Sequence, residues 1–198
     1  MITSPVETAY AIILAGGRSS RMGSDKKMLR IDGEPLIERL YRFLASRFEG
    51  IIVSTGTGER NPLPGALQVT DEIPGKGPLM AINSCLKRSP ARVNFVIACD
   101  IPEVHMALVH RLLSFANDYD AVVPSFSAGL VEPLFAVYSR EMVPVIEQQL
   151  EQGRLRPSDC YSLCRTKIVS VSDSGWYRNL NTPEDFSAYT GPGKIRVA

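Results

Sequence analysis

The sequence contains none of the signals that direct a chain into or across a membrane. No apolar run reaches the roughly 18 residues that a membrane-spanning helix needs. Residues 1–5 have neither the basic region nor the apolar stretch of a secretory signal. We therefore expect a cytoplasmic protein that does not bind membranes.

Cysteine and histidine are also scarce, at four and two residues in a chain of 198. No C-x-x-C pair occurs, and Cys160 and Cys164 lie four positions apart without a second close pair of ligands. Structural zinc sites usually show two such pairs. We interpret the cysteines as free thiols of a reducing compartment, with a zinc site as the alternative.

Charge of either sign is nearly balanced, at a net +1, so the composition favours neither nucleic acid nor a membrane surface as a partner. Hydrophobic residues make up 44% of the chain and charged residues 22%, which is typical of a soluble globular protein. The chain is long enough to bury a full core, and no Pro/Ser-rich linker divides it. The composition predicts a single domain in which any anion-binding site is local.

What the sequence does contain is a succession of short, β-branched apolar runs separated by segments of helical periodicity. Strands are predicted at residues 10–15, 51–54, 67–70, 93–99, 121–124, 134–138 and 168–171, and a short extended piece at 28–31. Helices are predicted at residues 35–48, 79–87, 105–116 and 139–152, and another begins at Pro183. This alternation predicts an α/β fold, one three-layer α/β/α domain with a mostly parallel sheet and helices on both faces.

The loop after the first predicted strand is rich in glycine and basic residues. Residues 14–26 read LAGGRSSRMGSDK. Glycine backbone can approach a ligand closely and form an anion-binding nest, and Arg18, Arg21 and Lys26 add positive charge. The spacing fits neither the P-loop nor the dinucleotide fingerprint. The loop favours a nucleoside triphosphate as ligand, and the alternative is a basic surface loop with turn glycines.

Polar residues follow other predicted strands as well. Asp71 follows the third strand and Asp100 follows the most apolar one, as Gly16 follows the first. Ligands of parallel α/β sheets bind beyond the carboxyl ends of the strands, so these residues are expected to share one edge. A single Asp suffices to hold Mg²⁺ on a triphosphate. Asp100 could instead cap a helix, which Pro102 disfavours, and Asp71 could instead satisfy loop N–H groups.

Residues 14–26 closely resemble the pattern LAGG-x-S-x-RMG-x-DK of the molybdenum cofactor guanylyltransferases, which are nucleotidyltransferases with a Rossmann-like, glycosyltransferase-A-like fold. The similarity continues over most of the chain. Residues 99–102 resemble the family's CD-x-P, residues 77–79 its G-P-L, residues 131–138 its EPL-x-A-V-Y segment and residues 179–185 its N-x-NTPED ending.

The resemblance implies that the chain transfers GMP from GTP to the phosphate of molybdopterin and releases pyrophosphate. It implies Mg²⁺ on Asp100, and catalytic roles for Arg21, Lys26 and Asp100. The residues that it implies in nucleotide binding are Leu14, Ala15, Gly16, Gly17, Lys26, Ser54, Asp71 and Asp100. Ser54 departs from the family pattern, in which the second strand ends in Asn. A hydroxyl can replace only part of the hydrogen bonding of an amide, so this departure puts the selectivity for guanine in question.

By the same resemblance, residues 1–190 form one nucleotidyltransferase domain. Its nucleotide-binding half would span about 8–120 and its pterin-binding half about 121–190, with 191–198 expected to be a flexible tail. Arg154 and Arg156 could meet a pterin phosphate or form a solvated basic turn. The expected partners are GTP and molybdopterin, with transient contacts to proteins that deliver or receive the cofactor.

Three alternatives stay open on the sequence. The first is a cytidylyltransferase of the same cofactor, although that pattern more often reads LAAG where this chain has Gly16-Gly17. The second is a nucleotidyltransferase acting on a sugar or polyol phosphate. The third is a nucleotide-binding regulator or cofactor-insertion chaperone, which has less reason to keep Asp100, Lys26 and Arg21 together.

Overall fold

The strand-forming segments assemble around one sheet. The structure is a computed structural model and describes residues 9–16, 30–31, 33–126, 129–172, 177, 180 and 183–190. The strands are β1 (Ala9–Leu14), β2 (Arg30–Ile31), β3 (Glu34–Pro35), β4 (Gly50–Thr55), β5 (Leu67–Thr70), β6 (Val93–Ala98), β7 (Ala121–Phe126), β8 (Leu130–Val131), β9 (Phe135–Ser139) and β10 (Thr166–Ser170). The helices are α1 (Leu36–Ala45), α2 (Gly77–Arg88), α3 (Met106–Leu113), α4 (Val143–Glu151) and α5 (Pro183–Thr190), with 3-10 turns at Arg140–Met142 and Pro157–Cys160.

The sheet is mixed but mostly parallel. Within the described ranges its order is β10-β7-β9-β6-β1-β4-β5, with β8 added to β7, and β2 and β3 form a separate two-stranded sheet. β1 runs parallel to both β4 and β6, and β5 is parallel to β4. Only β9 among the strands on that path is reversed, because it pairs antiparallel with β6 and β7. The carboxyl ends of β1, β4, β5, β6 and β7 therefore meet at one edge.

Helices cover both faces of the sheet, as the alternation of strands and helices predicts. Along β1, Ala11 and Ile13 face a core that includes apolar residues of α1 and α3. Ile12 and Leu14 face the opposite core, which includes residues of α2 and α4. The two cores on either side of one sheet give the three layers, and the predicted α/β/α architecture is confirmed.

Several element boundaries differ from those predicted. α2 begins at Gly77 rather than at residue 79, and α3 ends at Leu113 rather than at 116. The helix predicted at 139–152 is divided into a 3-10 turn, in which Ser139 Oγ accepts a hydrogen bond from the Glu141 backbone N–H (3.2 Å), and α4, which has a proline in its first turn. The strand predicted at 121–124 continues to Phe126. The predicted piece at 28–31 is described only at Arg30–Ile31, and the predicted tail at 191–198 lies outside the described residues.

Candidate active site at the carboxyl edge of the sheet

The order in which the chain adds strands to the sheet changes direction between β1 and β6, although these two strands are parallel. From β1 it proceeds outward through β4 to β5, and it then returns through α2 to place β6 on the other side of β1. Such a switch point opens a crevice at the carboxyl ends of the strands, where α/β proteins bind ligands. Leu14 is paired with Ala98 across this boundary. Ala15 and Gly16, after β1, and Cys99 and Asp100, after β6, therefore flank this switch point.

Gly16 lies against the end of β4, where a side chain would be crowded. The Ala15 N–H donates a hydrogen bond to the Ser54 carbonyl oxygen (2.9 Å), which holds the start of the loop on the strand. A Cβ on Gly16 would lie 3.2 Å from the Thr55 carbonyl carbon and 3.3 Å from the Gly56 nitrogen, closer than ordinary contact. Glycine therefore allows this close approach of two backbone segments, at the start of the predicted phosphate loop, without displacing either one.

Asp100 follows β6 at the other side of the crevice. The Cys99 N–H donates to the Leu14 carbonyl (3.1 Å), and the Asp100 carbonyl accepts from the Leu180 N–H (2.9 Å). The helix-cap alternative for Asp100 is wrong, because α3 begins only at Met106. The residue is partly exposed at the carboxyl edge of the sheet. Its role as a metal ligand stays a prediction.

Ser54, Asp71 and Cys85 come together beneath the neighbouring part of the edge. The fully buried Ser54 hydroxyl lies 3.5 Å from Asp71 Oδ1, at the limit of a hydrogen bond. Burial raises the pKa of the Asp71 carboxyl above 3.8, while the Ser54 hydroxyl acts in the opposite direction. Burial also raises the pKa of the Cys85 thiol, with the Asp71 charge adding to the effect. Asp71 is thus a half-buried acceptor supported from below by a hydroxyl.

The residues after Asp71 are tied to two helices. The Glu72 N–H donates to Ser84 Oγ of α2 (3.1 Å). Lys87 Nζ, also on α2, donates to Glu72 and to Glu147 of α4, at 2.9 Å in each closest pair. Both carboxylates raise the pKa of Lys87. The loop between β5 and α2 therefore has a fixed starting point beside Asp71.

The predicted basic turn after α4 lies next to the start of α2. A Cβ on Gly77, whose φ is +71°, would be 3.6 Å from the Leu155 carbonyl oxygen and 3.7 Å from the Leu155 Cβ. Leu155 lies between Arg154 and Arg156, both of which are exposed. Arg154 Nη1 donates to Gln149 Oε1 (3.2 Å). The geometry thus brings this turn of the second half of the chain close to the start of α2 in the first half.

The predicted site residues are therefore only partly placed. Leu14, Ala15, Gly16, Ser54, Asp71 and Asp100 gather at the carboxyl edge, whereas Gly17, Arg21 and Lys26 lie outside the described residues. Sequence reasoning missed Cys85, Lys87 and Glu147, which support the Asp71 side of the site. Their contacts join distant parts of the chain and leave no recognisable spacing.

The free thiols predicted from the sequence are confirmed. Cys85, Cys99 and Cys160 are buried, Cys164 is partly buried, and none forms a disulfide. Over the described ranges, no three side chains of His, Cys, Asp or Glu converge in a way that could hold a metal by themselves. No helix in the described part of the chain has the length and apolar character required to span a bilayer.

Solved structures of nucleotidyltransferases share this architecture. A molybdopterin-guanine dinucleotide biosynthesis protein A from Archaeoglobus fulgidus aligns with a TM-score of 0.75 at 21% identity, covering 90% of this chain and 95% of its own. The 2-C-methyl-D-erythritol 4-phosphate cytidylyltransferase of Thermus thermophilus aligns with a TM-score of 0.67 at 17% identity, covering 90% and 96%. The fold is therefore the one that these solved nucleotidyltransferases have.

The sequence narrows this class further. Residues 11–159 match the family model of the MobA-like NTP transferase domain, and the chain belongs to this family. A Pelotomaculum thermopropionicum protein named "Probable molybdenum cofactor guanylyltransferase" is 35% identical over 89% of both chains. The molybdenum cofactor guanylyltransferase of Syntrophotalea carbinolica is 34% identical over 92% of both. The resemblance seen in residues 14–26 is confirmed.

Proposed function

We propose that this chain transfers GMP from GTP to the terminal phosphate of molybdopterin, releasing pyrophosphate and forming a guanine dinucleotide cofactor. The observation that carries the proposal is its match, over about nine-tenths of both chains, to relatives named for this activity. The arrangement of Gly16, Asp71 and Asp100 at one switch-point edge supports it, because a nucleotide can contact all three there.

The reaction needs alignment and charge neutralisation more than proton transfer. The attacking phosphate of the acceptor is already an anion, so no strong general base is required. The backbone from Leu14 to Gly17 would take the triphosphate, with Arg21 and Lys26 neutralising its charge. An α-phosphorus held in line between the acceptor phosphate and the leaving pyrophosphate then reacts without a covalent enzyme intermediate.

The residues at the edge fit a Mg²⁺ ion. Mg²⁺ prefers one or two carboxylates plus phosphate oxygens and water, so it does not need the three-residue cluster that is absent among the described residues. Asp100, partly exposed at the edge, would hold it. When bound, the ion supplies charge neutralisation to the triphosphate.

Asp71 is the residue that we assign to the nucleoside, with Ser54 as its support. An ionised carboxylate only accepts hydrogen bonds. The pairing edge of guanine presents N–H donors side by side, whereas cytosine presents a single amino group beside acceptors. A half-buried carboxylate at this position therefore suits guanine better than cytosine. Since the fully buried Ser54 touches Asp71, it acts through that carboxylate and offers no surface of its own.

We also assign the two predicted halves to the two substrates. Residues of about 8–120 provide the crevice between β1 and β6 for the nucleotide, and the remainder, to about 190, provides the pterin side. Leu155 lies close to Gly77, so the two halves approach each other at the start of α2. An anionic acceptor approaching here would meet the exposed Arg154 and Arg156.

A product assay tests the function directly. The purified protein is incubated with molybdopterin, Mg²⁺ and each nucleoside triphosphate in turn, and the pterin product is hydrolysed to identify the nucleoside monophosphate. We expect GMP alone. CMP would keep the mechanism and refute the assignment of Asp71 to guanine. No product with any triphosphate, given molybdopterin that a known guanylyltransferase accepts, would refute the proposal and favour a sugar-phosphate acceptor or a binding protein.

A further inference from the structure

Two tyrosines away from the carboxyl ends of β1 and β4 pair their hydroxyl groups, one of them buried and the other partly buried. Tyr138 lies on β9 and is 1% exposed, and its hydroxyl oxygen is 2.9 Å from that of Tyr161. The Tyr138 hydroxyl is also 2.9 Å from the Pro133 carbonyl oxygen. Burial raises the pKa of both phenols, so both keep their protons at physiological pH.

The direction of the two hydrogen bonds follows from the groups involved. A carbonyl oxygen can only accept, and a phenol carries one proton. Tyr138 therefore donates to the Pro133 carbonyl, and Tyr161 donates to the Tyr138 oxygen. A phenol that accepts a hydrogen bond becomes a better donor, so Tyr161 strengthens the bond to Pro133.

The anchored segment, Glu132-Pro133-Leu134, leads to the edge of the site. The Leu134 N–H donates to Glu132 Oε1 (3.0 Å), which closes the segment into a turn. The Leu134 carbonyl accepts from the Ala98 N–H (2.9 Å), and Ala98 ends the strand that Asp100 follows. The position of this segment and the position of Asp100 are therefore coupled through one backbone hydrogen bond.

Tyr161 belongs to the segment 154–161, which comes close to the start of α2. Tyr161 directly follows the 3-10 turn Pro157–Cys160, and Leu155, shortly before that turn, lies against Gly77. The hydroxyl pair thus joins two stretches of the proposed pterin half. One is the turn at 132–134, which meets the end of β6, and the other is the segment 154–161, which comes close to Gly77 at the start of α2. No residue of the nucleotide half takes part in the pair.

We propose that Tyr138 and Tyr161 are positioning residues for the acceptor. By fixing Glu132-Pro133-Leu134 against the segment 154–161, they set where the anionic acceptor stands relative to Asp100 and the nucleotide. This inference rests on the proposed function. It requires that loss of the pair weakens the use of the acceptor while the use of GTP stays as it is.

The test is the KM for each substrate in single-hydroxyl deletions. Tyr138→Phe frees the Pro133 carbonyl, and we expect the KM for molybdopterin to rise about tenfold with the KM for GTP within twofold of the wild type. Tyr161→Phe leaves the bond to Pro133 in place, so a rise of about threefold is expected. Tyr10→Phe is the matched control, because Tyr10 lies near the amino end of β1, away from the carboxyl edge where the site is proposed. Neither KM should change in this variant.

A purely structural role would lower the active fraction of enzyme and leave both KM values unchanged, and that result in an active protein overturns the inference. Equal rises in both KM values overturn it as well. If Tyr138→Phe does not fold, Tyr161→Phe decides by the same criteria. A wild type that makes no guanylylated product refutes the proposed function and the acceptor role together, whereas an active wild type with unselective variants refutes the tyrosine inference alone.

Discussion

Replacing Gly16 by alanine tests whether the close approach at the end of β1 holds the site together. The new methyl group would sit 3.2 Å from the Thr55 carbonyl carbon and 3.3 Å from the Gly56 nitrogen, where ordinary contact begins at 3.4 Å. Both neighbours are backbone atoms at the end of a sheet strand, so they cannot rotate away. Either the loop or the strand end must shift by a few tenths of an ångström.

The expected stability change is modest. Overpacking of this kind costs about 1–3 kcal/mol. Alanine also restricts the unfolded chain, which returns about 0.4–1 kcal/mol. The free energy of unfolding should fall by about 1–2 kcal/mol, which for a chain of this size lowers Tm by roughly 2–8 °C. Thermal melting followed by circular dichroism measures this.

The effect on catalysis should be larger in proportion. The shift occurs in the loop proposed to take the triphosphate, and misplacements of about 1 Å can cost 10²-fold in rate. We expect kcat/KM for GTP to fall about tenfold, equivalent to about 1.4 kcal/mol. Gly50→Ala is the matched control, because its methyl group would meet the Tyr10 ring at the opposite edge of the sheet. That variant should lose stability while the surviving enzyme keeps its kcat/KM.

A Gly16→Ala variant that melts with the wild type and turns over GTP within twofold of it would refute the proposed role of this close approach. Equal proportional losses of activity in Gly16→Ala and Gly50→Ala would refute it too, since the catalytic loss would then follow from stability and not from loop position.

Three further substitutions address two carboxylates and one lysine of the proposed site. Burial raises the folded pKa of Asp71 above its unfolded 3.8, so the folded state binds the proton more tightly and stability falls as pH rises through the folded pKa. The Asp71→Asn variant should therefore be more stable than the wild type at pH 7. Urea titrations should show this difference in the free energy of unfolding disappearing below pH 3.8, and an equal difference at both pH values would contradict the prediction. Asp100→Asn or Lys26→Ala should lower turnover at least about 100-fold with little change in Tm. Glu151→Gln, at the exposed end of α4, serves as the control. Near-normal activity of the Asp100 or the Lys26 variant would show that the site is misassigned.

The central strands could be predicted because their sequence leaves little choice. The run at 93–99 is apolar almost throughout. It forms β6, which ends at Ala98 and in which residues 94–98 are all buried. Since parallel strands end at a common edge, the positions of Gly16, Asp71 and Asp100 followed from the same patterns. The three-layer fold and the gathering of these residues were accessible from the sequence for this reason.

The short and reversed elements could not be predicted in the same way. β8 and the 3-10 turn Pro157–Cys160 are too short to show a hydrophobic period. The direction of β9 depends on how the chain returns to β6, which no local pattern records. The Ser54–Asp71 contact and the Tyr138–Tyr161 pair join separate elements, and each residue by itself reads as ordinary polar or core sequence.

The pairing of β1 with β6 has a consequence for how the protein is made. β1 leaves the ribosome before its central partner β6, which follows about eighty residues later. At roughly 5–20 residues per second, synthesis of that partner takes about 4–16 s. For this interval a strand that is almost entirely buried in the folded protein has at most β4 as a sheet neighbour. We therefore expect aggregation during fast overexpression to depend on the Ala9–Leu14 segment.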